Sequence, residues 1–242
     1  MERKQFIRTL SFLAFSGTTV WTSCKKDNDI ASTTDEAGAD VDVDNSCSVT
    51  PTETEGPFPT KTPASYVRSD IHKGDGLGVE MAALITIANI KNSCNPLAGA
   101  LVDIWHCDVD GNYSQYGGTQ MQPVNYQSVN WFRGRQTTDS NGLVTFKTIF
   151  PGWYQSRATH IHVHIYDSTG KSLLVTQIAF QDSLSIDVNT NGNKYGYTKG
   201  ISGYTYNSRD NVFSDGVDKQ MSTVTGTMAD GFEMKITLKV SA

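Results

Sequence analysis

The chain has 242 residues, enough for one large β domain or two small ones, and its hydrophobic content of 38% is typical of a globular protein. Its formal net charge at pH 7 is −5, and the sequence has no dense patch of lysine and arginine. Binding to a nucleic-acid backbone depends on such a patch, so these features exclude nucleic acid as the expected partner and favour a small molecule.

The N-terminal segment 1–24 has the layout of a secretory signal. Arg3 and Lys4 precede an apolar run over 6–15, and small and polar residues lead to Cys24. We interpret the segment as a lipoprotein-type signal that leaves a lipid anchor on Cys24, with a flexible tether over 25–46. An ordinary signal peptide cut nearby is the alternative. A transmembrane anchor is not expected, because the apolar run is shorter than the ~20 residues that span a bilayer. The protein is therefore expected to be exported and held in the cell envelope, in the periplasm or at the cell surface.

Three cysteines remain beyond the signal segment: Cys47, Cys94 and Cys107. An exported protein meets an oxidising environment, in which disulfides persist. The pairing stays open, but we favour a bridge between Cys47 and Cys94, because Cys107 lies in a strand-like stretch where a thiol is expected to be buried. The spacing does not match the paired Cys-x-x-Cys pattern of a structural zinc site.

The remaining segment, 47–242, reads as one domain made of strands. Turn dipeptides punctuate it, and no helical period of more than a few turns intervenes. This pattern predicts an all-β fold, a β-sandwich of mainly antiparallel strands with long loops. Residues 183–220 are polar and rich in glycine and tyrosine, so they are expected to form a long surface excursion of functional interest. The predicted strands cover 80–90, 100–107, 142–149, 159–166, 173–180 and 232–240.

Three histidines alternate with other residues in one predicted strand: His160, His162 and His164. Side chains two apart on a strand point to the same face, roughly 6–7 Å from each other. Two imidazoles at this spacing can converge on one metal ion. A His-x-His strand also occurs as a simple solvated face, so its interpretation depends on the donors around it.

Two tyrosines stand where they could join the histidines. Tyr113 follows a strand that runs into a polar turn, and Tyr154 ends the turn Pro151-Gly152-Trp153-Tyr154. Two phenolates and two neutral imidazoles match trivalent iron in charge and hardness, and a bound cation would lower the phenol pKa from its usual value of about 10. Zinc, by contrast, prefers cysteine, histidine and carboxylate.

The motifs resemble a known family, the intradiol ring-cleavage dioxygenases, which include catechol 1,2-dioxygenases and protocatechuate 3,4-dioxygenases. The resemblance covers about residues 47–182 and is closest to an exported, single-domain branch. The segments that carry it occur in the family's order. They are Thr54-Glu55-Gly56-Pro57-Phe58, Asp110-Gly111-Asn112-Tyr113, Arg133-Gly134 with Thr138-Asp139, Pro151-Gly152-Trp153-Tyr154, and Arg157 followed by His160-Ile161-His162.

The resemblance implies a non-haem Fe(III) centre and a reaction in which both atoms of O2 enter a catechol-like diol, giving a muconate-type dicarboxylate. Arg157 would stabilise negative charge on the substrate beside the metal, and Gln177 would hydrogen-bond near the substrate and that arginine. His164 would be a bystander. The implied iron ligands are Tyr113, Tyr154, His160 and His162, with a hydroxide as the fifth.

Other readings stay open from sequence alone. A zinc hydrolase or cupin-type oxygenase could use the His-x-His pair, although no histidine follows His164 and the only later glutamate is Glu233. A carbohydrate- or peptide-binding sandwich would use Trp131, Trp153 and the tyrosines of 195–206 as an aromatic platform, and a transthyretin-like sandwich would have no catalysis. The sequence predicts neither the particular catechol nor the oligomeric state.

Overall fold

The computed structural model describes residues 47–242, and the predicted signal segment and tether lie outside the described residues. In the described part, two β-sheets face each other, which confirms the predicted all-β sandwich. The strands are β1 (Glu80–Asn89), β2 (Asn95–Pro96), β3 (Leu101–Trp105), β4 (Arg133–Thr137), β5 (Leu143–Ile149), β6 (His160–Tyr166), β7 (Ser172–Ala179), β8 (Thr223–Thr227) and β9 (Gly231–Val240); one α-helix, α1, spans Asp182–Asn191, and short 3-10 turns occupy Pro63–Ser65, Ile90–Asn92, Asn193–Tyr195 and Asn207–Arg209.

The larger sheet is built around β1. Strand β1 pairs antiparallel with β5 and, near its end, with β2; on its other side it pairs parallel with β9, which in turn pairs antiparallel with β8. The smaller sheet has the order β4-β3-β6-β7, with every pair antiparallel. The sandwich is therefore mainly antiparallel, with one parallel pair.

The hydrophobic core lies between the sheets because apolar residues alternate along the strands. On β6 the inward residues are Ile161, Val163 and Ile165, all without solvent exposure. Each such side chain contributes roughly 1.5–3 kcal/mol on burial. The histidines of β6 occupy the intervening positions and so point away from this core.

The outward face of the smaller sheet is also buried, which is unusual for a sandwich. One cross-strand row on this face consists of Arg133, Trp105, His162 and Gln177, in register on the four strands, and each is at most 2% exposed. The N-terminal segment 50–60 crosses over this face. The amide of Gln177 donates to the Thr54 carbonyl at 2.9 Å, and the Arg133 guanidinium donates to the Phe58 carbonyl at 3.0 Å.

Three strands and one helix were absent from the sequence prediction: β2, which has only two residues, β4, β8 and α1. The sequence of strand β4 is polar and shows no apolar alternation. Its outward arginine, Arg133, is nevertheless buried, because a covering segment lies over it. Strand β8 is a short, threonine-rich strand at the end of the larger sheet. Helix α1 buries only Ser185, Val188 and Asn189, so its apolar signal is weak.

The structure corrects the prediction that residues 183–220 form a long excursion on the surface. The segment begins in helix α1 and returns to the body of the domain, where Tyr197 and Asp210 are buried at 1% and 2% exposure. The phenol of Tyr197 donates to the Phe150 carbonyl at 2.6 Å. This segment is therefore part of the packed structure.

A disulfide joins Cys47 and Cys94, with their Cα atoms 5.8 Å apart, as the sequence favoured. Cys107 is a buried free thiol, and burial raises its pKa. Among residues 47–242, no helix has the length and apolarity needed to cross a membrane.

Candidate metal centre

The structure brings three predicted donor atoms together on the outward face of the smaller sheet. The Nε2 atoms of His160 and His162 lie 3.1 Å apart, and the Tyr113 hydroxyl lies 3.3 Å from Nε2 of His160. The ring of Tyr154 stands 5.7 Å from that of Tyr113 and 5.6 Å from that of His160, centroid to centroid. All four predicted ligands thus surround one point in space.

His160 is oriented by its own backbone neighbourhood. It opens strand β6, and its Nδ1 lies 2.6 Å from the Ala158 carbonyl oxygen. A carbonyl can only accept, so Nδ1 carries the proton and Nε2 presents a lone pair toward the cluster. Metal-bound histidines commonly have this second hydrogen bond, because it fixes the tautomer and the ring plane.

His162 is held by packing instead of hydrogen bonds. Its ring stacks parallel to Trp105 with centroids 4.8 Å apart, and its Nδ1 is buried without a hydrogen-bond partner among the described residues. Gly56 covers the other side: a Cβ atom there would lie 3.0 Å from Cε1 of His162. The glycine at this position, with φ of +67°, therefore lets the covering segment approach the imidazole.

Tyr113 is fixed through its backbone. The Gln122 side chain accepts from the Tyr113 amide and donates to its carbonyl, both at 2.7 Å, in the manner of a neighbouring strand. Next to it, the buried Arg133 donates to the Ser114 carbonyl at 2.7 Å. The phenol ring itself is fully buried and stacks on Phe58 with centroids 4.8 Å apart.

Two glycines allow the turns that carry the tyrosines to touch. A Cβ atom on Gly111 would lie 2.3 Å from the Trp153 carbonyl oxygen, and one on Gly152 would lie 2.4 Å from that of Asp108. The Gly152 amide donates to the same Asp108 carbonyl at 3.2 Å. Contact between these distant segments places the two phenols side by side, and Tyr154 keeps part of its surface exposed.

Burial controls the protonation of the cluster. It lowers the pKa of both His160 and His162 well below the usual range, with Arg157 adding to the effect on His160 and the neighbouring imidazole adding to that on His162. Burial also raises the pKa of Tyr113 well above its usual value and raises that of Tyr154, where Arg157 opposes the effect. The imidazoles are therefore neutral, and the phenols become anionic only beside a cation.

Arg157 lies at the edge of the cluster with 6% exposure. Its Nη1 is 3.4 Å from the Tyr154 hydroxyl and 3.5 Å from Nε2 of His160. Its Nη2 donates to the amide oxygen of Gln177, as the predicted pairing of these two residues requires. The guanidinium thus places one positive charge directly beside the donor atoms.

Sequence reasoning missed Asp210. Both of its carboxylate oxygens lie 2.9 Å from Nε of Arg157, and its side chain has no solvent exposure. It lies in the stretch 183–220, 53 residues beyond the arginine. No local motif marks it, and its ion pair depends on how the long segment folds back.

Other histidines and tryptophans of the described residues have structural contacts outside the donor set. His164 bonds to Glu55 at 2.9 Å and lies outside the donor cluster. His106 is buried, stacks on Phe132 and lies 2.6 Å from the Thr148 hydroxyl. Trp131 and Trp153, at 7% and 3% exposure, are too buried to form the aromatic platform of a carbohydrate-binding surface.

The donor set fits a metal ion. Donors bonded to one ion at about 2 Å lie roughly 3 Å from each other, which matches the separations between His160, His162 and Tyr113. With the proton of His162 on Nδ1, the two Nε2 lone pairs would face each other, an arrangement that a cation between them stabilises. Phenol oxygens favour a hard, highly charged ion. Together, the sandwich and this site define a β-fold protein with a candidate mononuclear metal centre of two phenols and two imidazoles.

Comparison with known proteins gives the family. A family model described as "Dioxygenase" matches residues 54–191, which is more than half of the chain. An intradiol ring-cleavage dioxygenase from Tetranychus urticae has 29% sequence identity and a TM-score of 0.69, and the match covers 80% of this chain and 95% of that one. The chain therefore belongs to the intradiol ring-cleavage dioxygenase family.

Two further relatives extend the comparison. A chlorocatechol 1,2-dioxygenase from Rhodococcus opacus is 29% identical over 114 residues, which cover 39% of this chain and 42% of the relative. The match thus spans less than half of that relative's length. The dioxygenase domain of a dioxygenase carbohydrate-binding protein fusion from Streptomyces sp. SirexAA-E shares the fold, with 24% identity, a TM-score of 0.55 and coverage of 79% and 97%.

Proposed function

We propose that this protein is a non-haem Fe(III)-dependent dioxygenase that opens catechol-like rings between the two hydroxyl-bearing carbons. The observation that carries the proposal is the convergence of Tyr113, His160 and His162, with Tyr154 adjacent and Arg157 beside them. Membership of the intradiol dioxygenase family supports assigning a ring-cleavage reaction to this arrangement. In the proposed reaction, both atoms of O2 end in a muconate-type dicarboxylate.

Four residues would hold the iron: Tyr113, Tyr154, His160 and His162. Two phenolates and two neutral imidazoles would leave one positive charge on a trivalent ion, so the centre would favour a further anionic oxygen donor, a hydroxide or a deprotonated diol. When bound, Fe(III) would supply a Lewis-acidic centre that binds a catechol through both oxygens and activates the ring carbon toward O2.

Tyr154 is the donor best placed to exchange with the substrate. Tyr113 is fully buried and stacked on Phe58, whereas Tyr154 is half-buried and follows a turn. A phenolate released at Tyr154 can take a proton from the incoming diol, and Arg157 Nη1 at 3.4 Å stabilises the phenolate form. Tyr113 would stay bound throughout.

Arg157 would act on charge that develops on the substrate. Its cation is buried, at 6% exposure, and electrostatic stabilisation is strongest where water is excluded. Gln177 holds Nη2 and is itself anchored through its amide to the Thr54 carbonyl at 2.9 Å. The covering segment 50–60 thus helps to orient the group that faces the substrate.

Oxygen uptake by the iron-loaded protein over a panel of catechols, with spectra of the products, tests this function. We expect uptake with at least one catechol and a product that absorbs as a ring-opened dicarboxylate. An extradiol product, or no uptake with any catechol by a fully iron-loaded protein, would contradict the proposal.

A matched pair of variants links the activity to the donor set. Tyr113→Phe removes a proposed ligand, so it should lose iron and activity together. Tyr116→Phe removes a nearby phenol whose hydroxyl bonds to the Pro59 carbonyl at 2.7 Å, outside the donor cluster. It should retain iron.

We also propose that the protein is exported and anchored by a lipid on Cys24. The support is the order of basic, apolar and small residues in 1–24. Wild-type protein expressed in a bacterial host should partition with membranes, and Cys24→Ser should release it to a soluble fraction. Equal partitioning of the two would argue against the anchor.

A further inference from the structure

We propose that Asp210 is a positioning residue for catalysis: its buried carboxylate holds the Arg157 guanidinium in the orientation that faces the substrate. The inference rests on the proposed function and adds a residue from the long segment 183–220 to the site. Asp210 is a positioning residue because its oxygens contact Arg157 and the backbone, not the proposed metal ligands.

Each nitrogen of the Arg157 guanidinium has a different partner. Nε donates to Asp210, with both carboxylate oxygens at 2.9 Å, and Nη2 donates to the amide oxygen of Gln177. Only Nη1 remains, and it faces the Tyr154 hydroxyl and Nε2 of His160 at 3.4 and 3.5 Å. Two fixed partners on one edge of a planar group determine where its third nitrogen points.

Asp210 is itself rigidly held. Its Oδ2 accepts from the Ala158 amide at 2.7 Å, and its Oδ1 accepts from the Val212 amide at 3.0 Å. The carboxylate has no solvent exposure, so it has little freedom to turn away. Arg157 also lies 5.7 Å above the ring of Phe213, three residues further along the same segment.

Asp210 is also linked to His160, a proposed metal ligand, through the backbone of Ala158. Asp210 holds the amide of Ala158, and the carbonyl of Ala158 accepts from Nδ1 of His160 at 2.6 Å. Moving Asp210 would therefore affect both the arginine and the orientation of this imidazole. The arginine effect should dominate, because it involves a direct ion pair and His160 remains fixed by strand β6.

The charge of Asp210 has a separate consequence. A guanidinium without a counter-ion would stand unpaired beside a trivalent metal ion in a buried site, which is costly. Asp210 compensates this charge on the side away from the donor atoms, so the cation can remain close to them. An asparagine of the same shape keeps some hydrogen bonds but removes the compensation.

The first test compares Asp210→Asn with Asp215→Asn, which changes an exposed aspartate of the same segment. Turnover per bound iron should fall roughly 10- to 100-fold in Asp210→Asn, the range seen when a residue that orients a site group is removed. KM should change less, and iron content and visible spectrum should persist. Asp215→Asn should behave as wild type.

The second test does not depend on activity. In the metal-free protein, the Nε–H proton of Arg157, identified by its absence in Arg157→Lys, should exchange slowly with water by nuclear magnetic resonance. Exchange should accelerate at least about tenfold in Asp210→Asn, because the buried acceptor carboxylate is lost.

A third variant replaces Asp210→Asn in the turnover test if Asp210→Asn does not fold. Asp210→Glu keeps the charge and displaces the carboxylate by one methylene, and it should show the same loss of turnover.

These outcomes separate the two proposals. Unchanged turnover per iron in a folded Asp210 variant, or rapid exchange of Arg157 Nε–H in wild type, would overturn the positioning role. Activity that falls only in proportion to iron content or stability would also overturn it, because Asp210 would then be structural. If wild type oxidises no catechol, the proposed function fails while the exchange measurement still decides how Asp210 holds Arg157.

Discussion

The Nε2 atoms of His160 and His162 lie 3.1 Å apart although the two residues occupy separate positions on strand β6. Side chains at such positions start roughly 6–7 Å from each other, so the two rings must lean together. They stand nearly perpendicular, at 83°. Packing of His162 against Trp105 and the hydrogen bond from His160 to the Ala158 carbonyl hold this geometry through contacts within the chain.

Tyr154→Phe removes the proposed exchangeable ligand. We expect the visible band of the iron-loaded protein to shift or weaken and turnover to fall roughly 10- to 100-fold, because a ligand and a proton acceptor are lost together. The fold should survive, since Tyr154 is only half-buried. Visible spectra and oxygen uptake measure these effects. Unchanged activity on every catechol would show that Tyr154 is not a ligand.

Arg157→Ala should separate catalysis from iron binding. The guanidinium lies 3.5 Å from a proposed ligand atom but supplies no lone pair, so iron content should change little. Turnover should fall by a factor on the order of 10²–10³, as expected when a charge-stabilising donor is removed. Metal analysis and oxygen uptake on the same preparation provide the comparison. A variant that lost its iron would indicate a structural role for the arginine.

Gly56→Ala tests the close approach of the covering segment to His162. The new methyl group would lie 3.0 Å from Cε1 of the imidazole, in a backbone with φ of +67°. The strained backbone alone should cost about 1–2 kcal/mol of stability. Gly74→Ala is the matched control, because its φ is +81° and nothing lies within 4 Å of the added atom.

Gly56→Ala should therefore lose at least as much stability in urea denaturation as Gly74→Ala, and only Gly56→Ala should also lose iron affinity and turnover. Full activity in Gly56→Ala would mean that the segment 50–60 can move away from the site without effect.

His106 should make the fold sensitive to acid. Burial lowers its pKa from 6.5 to about 4 in the folded protein. Between these values the unfolded chain binds a proton that the folded chain does not, so the stability that is present above pH 6.5 is lost as the pH falls toward 4. The loss from this group between pH 7 and pH 4 is about 3 kcal/mol.

Urea denaturation of the metal-free protein across this pH range measures the effect. His106→Gln cannot titrate there, so its stability should fall less steeply with acid than that of the wild type, whatever its stability at neutral pH. Parallel curves for the two proteins would show that His106 does not contribute.

The proposed ligand positions could be predicted from sequence because each depends on a local pattern. A two-residue alternation places His160 and His162 on one face, and the turn glycines Gly111 and Gly152 precede the two tyrosines. The strands that supply the core were found for the same reason: their apolar residues alternate.

Other features depend on tertiary contacts and leave no local signal. Asp210 is an ordinary loop aspartate until the segment 183–220 folds back onto Arg157. Strand β4 begins with Arg133, which belongs on a buried face only because the segment 50–60 covers it. Helix α1 has too few buried apolar residues to produce a helical period.

Metal analysis combined with a visible spectrum of the purified protein tests the central claim most directly. Two phenolates on Fe(III) give an intense charge-transfer absorption, so the protein should be wine-red, contain about one iron per chain, and change colour when a catechol is added without oxygen. A colourless protein that carries stoichiometric zinc and no iron would contradict the account.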